Sequence, residues 1–375
     1  MQTMHPCIML GSYVLDHDRL PADEFRLRME KVYGLMEERG LAALLVYGDA
    51  REHGALAYLS NFIPRMRWGM ALFSRGGEPR LLCSISSRDM PAMRAMTWIG
   101  DVYSGWEWKW FDEWLANLKP EAGDIGTVGF GIMAPPLYRN IERSLGNRFK
   151  LTDQPDIAAM REERKRPREL PLVMSSCEIT TRAVKELADS WRAHGDPERA
   201  ALAAERMARG MAAQDVRTLV SFDGGRTLQP FRGTFDTKTS SLVAYVAVKF
   251  AGYWSESFVG SNVSEAQASI ASAALDALVR SMRPGIPCGT LYDIACRQLA
   301  GAMLHPALLG CVGHGIGLSL EEGEQIVAGA TATIRANQIY ALQVGLDSGS
   351  GGCFASAMVH VTDRETSVIS RSAMQ

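Results

Sequence analysis

Apolar and polar residues alternate with a helical period over residues 22–40, a segment that ends on glycine, which is common at helix C-termini. The wholly apolar run at 41–48 is typical of a strand buried on both faces. The pattern then predicts a helix near 50–59, a strand at 68–74 and, after a Gly-Gly turn, a return strand at 80–85 that completes a hairpin. Helices that alternate with buried strands predict an α/β domain for this part of the chain.

Two long helices with clear start signals open the second part of the chain. The first is predicted over 175–195, with Ser175 as N-cap and Glu178 behind it in the manner of a capping box. The second begins at Asp196 with a capping side chain, and a proline follows in the first turn. The remaining predicted elements are strands near 216–222 and 240–250 and helices at 264–283 and 290–303. Strands interleaved with helix pairs predict an α+β domain with antiparallel strands.

A run of charged residues separates the two parts. Residues 161–170 mix basic and acidic side chains and include Pro167, a composition typical of a solvated linker. We therefore predict two domains, a smaller one over 1–160 and a larger one over 161–375.

Composition and charge exclude several classes of protein. The chain is 47% hydrophobic and 22% charged, typical of a globular protein, and its net charge of -2 argues against nucleic-acid binding. No apolar run approaches the ~20 residues of a membrane-spanning helix, and the N-terminus lacks the basic start of a signal peptide. The seven cysteines are scattered without a CxxC pair, which indicates reduced thiols. We expect a cytoplasmic protein with no membrane or nucleic-acid partner.

Four tryptophans, Trp106, Trp108, Trp110 and Trp114, follow one another near the end of the first part. Their spacing is compatible with a satellite core, with a dimer contact and with an aromatic wall for a ligand. All three interpretations stay open at the level of sequence.

Three segments of the second part carry a family resemblance. CVGHGIGLSLEE contains a GHGIGL motif, AGYWSES has a Gly-Tyr strand, and the stretch after residue 274 reads as helix, Pro-Gly turn and helix. Together they resemble the creatinase/aminopeptidase P (M24, "pita-bread") family. The resemblance implies an α+β fold, in which a C-terminal pita-bread catalytic domain follows a smaller α/β creatinase-type N-terminal domain. In that family the N-terminal domain packs on the active site of a partner subunit, so a homodimer is implied.

The family's metal-ligand positions are altered in this chain. Carried over from the family pattern, the five positions fall at Tyr245, Glu256, His314, Gln343 and near Ser356. Two divalent cations need several ionised oxygen ligands, and this set supplies one carboxylate and one imidazole. We therefore expect no binuclear metal site and no cofactor. A single metal held by Glu256, His314 and a third group stays open as an alternative.

The family pattern also suggests which residues are catalytic. His314 lies between glycines that allow a ligand to approach the backbone closely, Glu256 takes the place of an aspartate, and Glu321 takes the place of a family histidine. We expect these three side chains to transfer protons, with Glu321 rather than its neighbour Glu322 facing inward. The family's upstream substrate-binding histidine has no counterpart here.

A further set of residues is expected to bind the substrate. Arg65 and Arg67 flank Met66, the position that matches a carboxylate-binding arginine of creatinase, and a guanidinium suits a carboxylate. An interface salt bridge is the alternative role for these arginines. The predicted substrate-binding residues are Arg65, Arg67, Tyr245, Tyr253, Gln343, Ser356 and His360. His360 is included because it has the same strand parity as Ser356.

The function predicted from these residues is that of a metal-independent, creatinase-like enzyme. It would hydrolyse or eliminate a C–N, C–O or C–S bond in a small polar substrate that bears a carboxylate. The alternatives are a pseudoenzyme that binds a ligand in the same cleft and a conventional Xaa-Pro aminopeptidase or dipeptidase. A nucleophilic Cys353 is a further alternative, for which the sequence shows no activating base.

Overall fold

The computed structural model describes residues 14–119, 122–299, 301–347 and 351–372. The chain divides into two compact units, Met1–Arg161 and Glu162–Gln375. The first 13 residues, on which the expectation about a signal peptide rests, lie outside the described residues. Within the described part of the chain, every helix is too short or too polar to cross a membrane.

The first unit alternates helices with the strands of one mixed sheet. Its strands are β1 (Leu41–Asp49), β2 (Trp68–Ser74), β3 (Arg80–Cys83), β4 (Asp101–Ser104), β5 (Asp124–Val128) and β6 (Leu151–Asp153). Its helices are α1 (Ala22–Glu38), α2 (Gly54–Ser60), α3 (Met90–Arg94), α4 (Lys109–Ala116), α5 (Pro135–Leu145) and α6 (Pro155–Glu163), the last of which crosses the boundary. The strand order is β4-β3-β2-β1-β5-β6.

The apolar runs of the first unit form its core, as their sequence predicts. β1 is buried from Leu41 to Gly48, and β2 pairs with β3 as the predicted antiparallel hairpin. The parallel pairing of β1 with β5 places β1 inside the sheet, because β2 occupies its other edge. The prediction of an α/β first domain is therefore confirmed.

The tryptophans of this unit do not line one wall. Trp114 is buried in the core, and Trp108 and Trp110 are partly buried against it. Trp106 is exposed, and the Arg67 guanidinium lies 5.1 Å from the centre of its ring. The interpretation as a satellite core is correct for Trp108, Trp110 and Trp114.

The second unit contains two sheets and two helix pairs. The first helix pair is α7 (Leu170–His194) and α8 (Pro197–Gly210), followed by the antiparallel sheet β7 (Asp215–Val220), β8 (Leu242–Phe250) and β9 (Tyr253–Ser261). The second pair is α9 (Glu265–Ser281) and α10 (Cys288–Arg297). The second sheet contains β10 (Met303–Leu304), β11 (Cys311–Gly315), β12 (Gln325–Val327), β13 (Ile339–Asp347), β14 (Gly352–Val361) and β15 (Thr366–Arg371). Its order is β12-β11-β13-β14-β15, and β10 pairs with β13.

Each helix pair packs on one face of one sheet. Alanines of α7 and α8 pack against Val246 and Val248 of β8. Likewise α9 and α10 pack against Leu342 and Val344 of β13. Because side chains alternate along a strand, each sheet presents its other face away from the helices. We call this the inner face of each sheet.

Two local predictions in the second unit need correction. The helix expected to start at Ser175 starts at Leu170, because the preceding residues continue the same buried helical face and Pro171 occupies the first turn. The charged run 161–170 is not a solvated linker. Lys165 and Glu169 within it are buried. The start of α8 is as predicted, since the Asp196 side chain accepts hydrogen bonds from two amides of the first turn.

Candidate functional site

The inner faces of the two sheets of the second unit meet, and polar residues collect where they meet. Tyr245 of β8 and Glu256 of β9 lie on the inner face of the three-stranded sheet. The Phe258 ring of this face stacks on the Phe354 ring of β14, with the ring centres 4.5 Å apart. Between the two sheets, His314 of β11 reaches Glu256. The register of the strands therefore brings together polar residues as far apart in the chain as Tyr245 and His314, which are 69 positions apart.

Three side chains form a continuous hydrogen-bonded chain. The Tyr245 hydroxyl donates to Glu256 Oε2 at 2.6 Å. His314 Nε2 lies 3.2 Å from Glu256 Oε1, and both of these side chains are buried. The other ring nitrogen, Nδ1, lies 3.1 Å from the carbonyl oxygen of Gly315. Both carboxylate oxygens and both ring nitrogens are thus engaged.

The partners of the His314 ring require two protons on it. A carboxylate oxygen and a carbonyl oxygen only accept hydrogen bonds, so both ring nitrogens must donate. Burial alone would lower the pKa of His314, but the charge and hydrogen bond of Glu256 and the Gly315 carbonyl raise this pKa to about 9. Burial, and after it the Glu256 carboxylate, hold the pKa of Tyr245 well above its usual value of 10.0. At neutral pH the raised pKa values favour a protonated His314 and a neutral Tyr245.

The turn after His314 is held by a second buried charge pair. The Lys165 ammonium donates to Glu322 Oε1, and both side chains are almost fully buried. The Glu322 amide donates to the Gly315 carbonyl at 2.9 Å, the same oxygen that faces His314 Nδ1. A Cβ at Gly315 or Gly317 would overlap atoms of Glu322 or Lys165. Gly315 and Gly317 therefore allow the turn to pack closely against Glu322 and Lys165. The sequence analysis instead expected the glycines beside His314 to admit a ligand.

The orientation expected for the adjacent glutamates is wrong. Glu322 is the buried one of the two, and Glu321 is exposed. Glu322 points inward because Lys165 and the Ser319 amide bind its carboxylate. Glu321 accepts a hydrogen bond of 3.4 Å from Gln325, whose backbone pairs directly with His314. Its charge therefore stays close to the site, where it is one of the smaller causes that raise the pKa of His314.

Tyr253 is not part of the inner face. It lies three positions before Glu256 on β9, and an odd separation along a strand places two side chains on opposite faces. Its hydroxyl donates to the buried Glu169 at 2.9 Å. Tyr253 therefore faces away from Glu256, and its role in substrate binding stays a prediction.

The predicted residues Gln343, Ser356 and His360 lie on the inner face of the second sheet, at different positions along its strands. Gln343 pairs with Ser356, and His360 lies four positions further along β14. The Ser356 hydroxyl already accepts a hydrogen bond of 2.9 Å from the Phe258 amide, so it holds the two sheets together. His360 is partly buried, and this burial lowers its pKa. Their roles in substrate binding stay predictions.

Arg65 and Arg67 belong to the first unit, and both are exposed. Arg67 has a positive φ of 63°, which is uncommon outside glycine, and its guanidinium stacks on Trp106. Binding of a substrate carboxylate by these arginines stays a prediction. Cys353 is buried, which raises the pKa of its thiol to about 11, so it has no thiolate character at neutral pH.

Sequence reasoning missed three residues at or beside the site. Lys165 and Glu322 were overlooked because nothing in a charge run or in a Glu-Glu pair indicates a partner more than 150 positions away. Arg217 of β7 lies on the inner face, because it pairs directly with Ala247, which pairs with Glu256. In the segment VRTLV, Arg217 lies between Val216 and Thr218, so its side chain points to the opposite face from theirs. This alternation is the signal that could have found it.

The donor set at the family's metal positions does not fit a pair of metal ions. Glu256 is the single carboxylate among the five, and both its oxygens are engaged by Tyr245 and His314. Metal binding to His314 would displace the ring proton that Glu256 holds, and the Ser356 hydroxyl is engaged by an amide. Among the described residues, no three His, Cys, Asp or Glu side chains form a group that could hold a metal ion. We therefore assign no step of the chemistry to a metal.

Comparisons with solved structures show the fold. The prolidase from Pyrococcus horikoshii OT3 superposes with a TM-score of 0.77 at 15% identity, covering 93% of this chain and 99% of that chain. The X-Pro aminopeptidase from Thermotoga maritima MSB8 gives a TM-score of 0.75 at 19% identity, covering 91% and 96%. A dipeptidase from Mycobacterium ulcerans gives 0.68 at 20% identity, covering 92% and 95%. The predicted pita-bread fold is confirmed.

A comparison with curated proteins finds no match. The sequence profile of metallopeptidase family M24 matches residues 174–363, which is about half of the chain and contains every inner-face residue described above. The chain therefore belongs to metallopeptidase family M24.

Proposed function

We propose that this protein is a hydrolase that cleaves a C–N bond in a small substrate bearing a carboxylate, and that its own side chains transfer the protons. The observation that carries the proposal is the buried chain of Tyr245, Glu256 and His314, whose only cation is an imidazolium. Such a chain holds a transferable proton next to a fixed negative charge. General acid–base catalysis of this kind contributes about 10²- to 10⁴-fold in rate.

The chemistry assigns one role to each group. Water attacks the carbonyl carbon, the C–N bond breaks, and the leaving nitrogen takes the proton that His314 Nε2 shares with Glu256. The proton of the attacking water passes to the exposed Glu321 carboxylate and from there to solvent. Tyr245 stays protonated and holds Glu256 in place through its 2.6 Å hydrogen bond. Solvent then returns a proton to His314, so no net charge accumulates.

The names of the structural neighbours favour hydrolysis of a peptide bond over elimination. They include a prolidase, an X-Pro aminopeptidase and a dipeptidase. We therefore take a dipeptide ending in proline as the first substrate to test. A conventional, metal-dependent Xaa-Pro peptidase is the second candidate, and these neighbours favour it over the creatinase-like lyase.

A metal-controlled turnover assay separates the two candidates. The protein is dialysed against a chelator, assayed with alanylproline with and without added Mn²⁺, and analysed for bound metals. We expect turnover without added metal and a loss of about 10²-fold or more in Glu256→Gln. The matched control is Glu265→Gln, an exposed glutamate at the start of α9. Two equivalents of bound metal and turnover only with Mn²⁺ would establish the conventional peptidase, whereas binding without turnover under any condition would indicate a pseudoenzyme.

We also propose that the protein is a homodimer in which Arg65 or Arg67 of one subunit completes the site of the other. The support is the family resemblance of the FIPRMRW segment and the exposure of both arginines. A mixture of His314→Ala chains with Arg65→Ala/Arg67→Ala chains should then regain activity through hybrid dimers. A monomer in native mass spectrometry contradicts this arrangement without affecting the proposal for the second unit.

A further inference from the structure

A long connection, residues 221–241, joins β7 to β8 in the second unit. All of its residues are described, and they contain no helix or strand beyond a bridge that pairs Gln229 with Val220. Connections of this length without secondary structure are uncommon in compact domains and usually have a function. We call this segment the β7–β8 connection. Side chains must fix its conformation, because backbone pairing with the sheet does so at one point only.

The carboxylate of Glu198 binds the second half of the β7–β8 connection. Glu198 lies in the first turn of α8 and is fully buried. Its Oε1 accepts a hydrogen bond from the Arg232 amide. Its Oε2 accepts from the Thr234 amide at 2.7 Å, the Thr234 hydroxyl at 2.9 Å and the Phe235 amide at 2.9 Å. Burial alone would raise the pKa of Glu198, but these hydrogen bonds lower it to about 2, so a charged group holds the chain at neutral pH.

The first half of the connection packs on the inner face of the three-stranded sheet. An apolar cluster lies there, made of Val243, Phe258, Leu308 and Phe354. Leu228 and Tyr245 both pack against it, and the rings of Tyr245 and Phe258, which are paired across β8 and β9, have their centres 5.1 Å apart. The Tyr245 hydroxyl in turn donates to Glu256. Because a protein interior is close-packed, loss of Leu228 from the cluster would loosen the phenol that holds Glu256.

The anchor and the site are fixed to one another through a rigid part of the unit. Alanines of α8, the helix that carries Glu198, pack on β8, the strand that carries Tyr245. The two halves of the connection are also tied together, since the Arg232 guanidinium lies 4.0 Å from the centre of the Phe222 ring. The position of residues 232–235 on α8 therefore restricts where Leu228 can lie.

We propose that Glu198 is a positioning residue of the candidate site. By binding residues 232–235 it keeps Leu228 against the apolar cluster. The cluster in turn keeps the Tyr245 hydroxyl on Glu256. The expected effect on turnover rests on the proposed function, whereas the position of the cluster can be measured without a substrate.

Hydrogen exchange tests the anchor. Glu198→Gln replaces one of the two oxygens with an NH2 group, which faces a donor and cannot accept from it. The amides of residues 229–238 should then exchange about 10-fold faster or more, because hydrogen bonds to a charged acceptor are lost. The amides of β8 and β9 should keep their rates. Thr234→Val, which removes one donor and leaves the carboxylate, should give a smaller change in the same residues.

Fluorine NMR tests whether the anchor reaches the apolar cluster. The protein is labelled with 4-fluorophenylalanine, and the Phe258 resonance is assigned from its absence in Phe258→Leu. This resonance should shift in Glu198→Gln and in Leu228→Ala, because both changes release the same contact. The matched control is Glu265→Gln, an exposed glutamate in the first turn of α9, which should leave it unchanged.

Turnover of alanylproline adds the functional measurement. In Glu198→Gln and in Leu228→Ala, kcat should fall about 10- to 100-fold through misplacement of Glu256, and KM should change little. The double variant should lose no more than either single variant, because both changes act through Leu228. An unchanged Phe258 resonance in Glu198→Gln, or losses that multiply in the double variant, would overturn the inference. A shifted resonance in a protein without turnover would uphold the positioning role while contradicting the proposed hydrolase.

Discussion

The second unit contains two buried charge pairs that differ in chemistry and in surroundings. Glu256 and His314 lie on the inner faces of the two sheets, where these faces meet. Lys165 and Glu322 lie behind the turn that follows His314 and bind backbone groups around it. The first pair contains a histidine, the residue type whose ordinary pKa lies near neutral pH, and the second pair joins a lysine to a glutamate. Burial of a charge pair therefore does not by itself identify a functional site, and we infer the candidate site from the pair that contains a histidine.

The same difference predicts which variant loses activity and which loses stability. If Glu256 is removed, the stranded His314 can become neutral at pH 7, because its ordinary pKa is 6.5, so the loss is limited to the stabilisation of its charged form. If Lys165 is removed, the stranded Glu322 carboxylate has two alternatives. It is protonated at pH 7, far above the usual pKa of a glutamate, or it stays charged without its partner. We therefore expect the Glu256–His314 pair to contribute less to folding than the Lys165–Glu322 pair.

The largest expected effect is on the rate of Glu256→Gln. The amide keeps the shape but cannot hold an imidazolium, so the proton donor is lost and kcat/KM for alanylproline should fall about 10²- to 10⁴-fold. The melting temperature should change by only a few degrees. A rate within threefold of wild type, with Glu265→Gln as the control, would remove the Glu256–His314 pair from the mechanism.

The second effect is on the stability of Lys165→Met. Removal of one partner of a buried ion pair leaves the other uncompensated and should lower the free energy of unfolding by about 3–5 kcal/mol, as measured in urea. The double variant Lys165→Met/Glu322→Leu should recover much of this loss, because both charges are then absent. If the single variant is as stable as wild type, the ion pair does not hold the turn after His314.

The third effect is the contribution of His314 to the dependence of stability on pH. Folding raises the pKa of this group from 6.5 to about 9, so its contribution is complete below pH 6.5 and is lost as the pH rises through 9. A shift of this size corresponds to about 3 kcal/mol of unfolding free energy between those limits. Urea titrations from pH 6 to pH 10 measure it. In Glu256→Gln this part of the profile should flatten, and a wild-type profile without the decline would contradict a charged His314.

The smallest expected effect is the loss of stability in Tyr253→Phe, on the face of β9 that points away from Glu256. Tyr253→Phe removes the hydrogen bond to Glu169 and should lower stability by about 1–3 kcal/mol without changing kcat/KM. Tyr245→Phe, the matched change on the inner face, should instead alter the rate, because Tyr245 positions Glu256. Loss of activity in Tyr253→Phe at unchanged stability would mean that this strand is assigned to the wrong register.

Local features of the chain were predictable where neighbouring residues decide them. β2 spans Trp68–Ser74 as predicted, and Asp196 caps α8 through its own side chain. The capping box at Ser175 failed because a helix start competes with a longer apolar face, and the buried positions Leu172 and Val173 extend α7 toward its N-terminus. For the start of α7, the capping preference of Ser175 was a weaker signal than the burial of the turn that precedes it.

What the sequence by itself determined is the kind of those elements that it predicted, their alternation of faces and the resemblance to the family through the GHGIGL motif. It also determined that the altered ligand positions carry one carboxylate and one imidazole. Only the tertiary structure decided that Tyr253 lies away from Glu256, that Glu322 is buried in place of Glu321, and that Arg217 reaches Trp254. The physical reason is that burial and charge pairing depend on strand register and on contacts between residues far apart in the chain, and local sequence does not encode either.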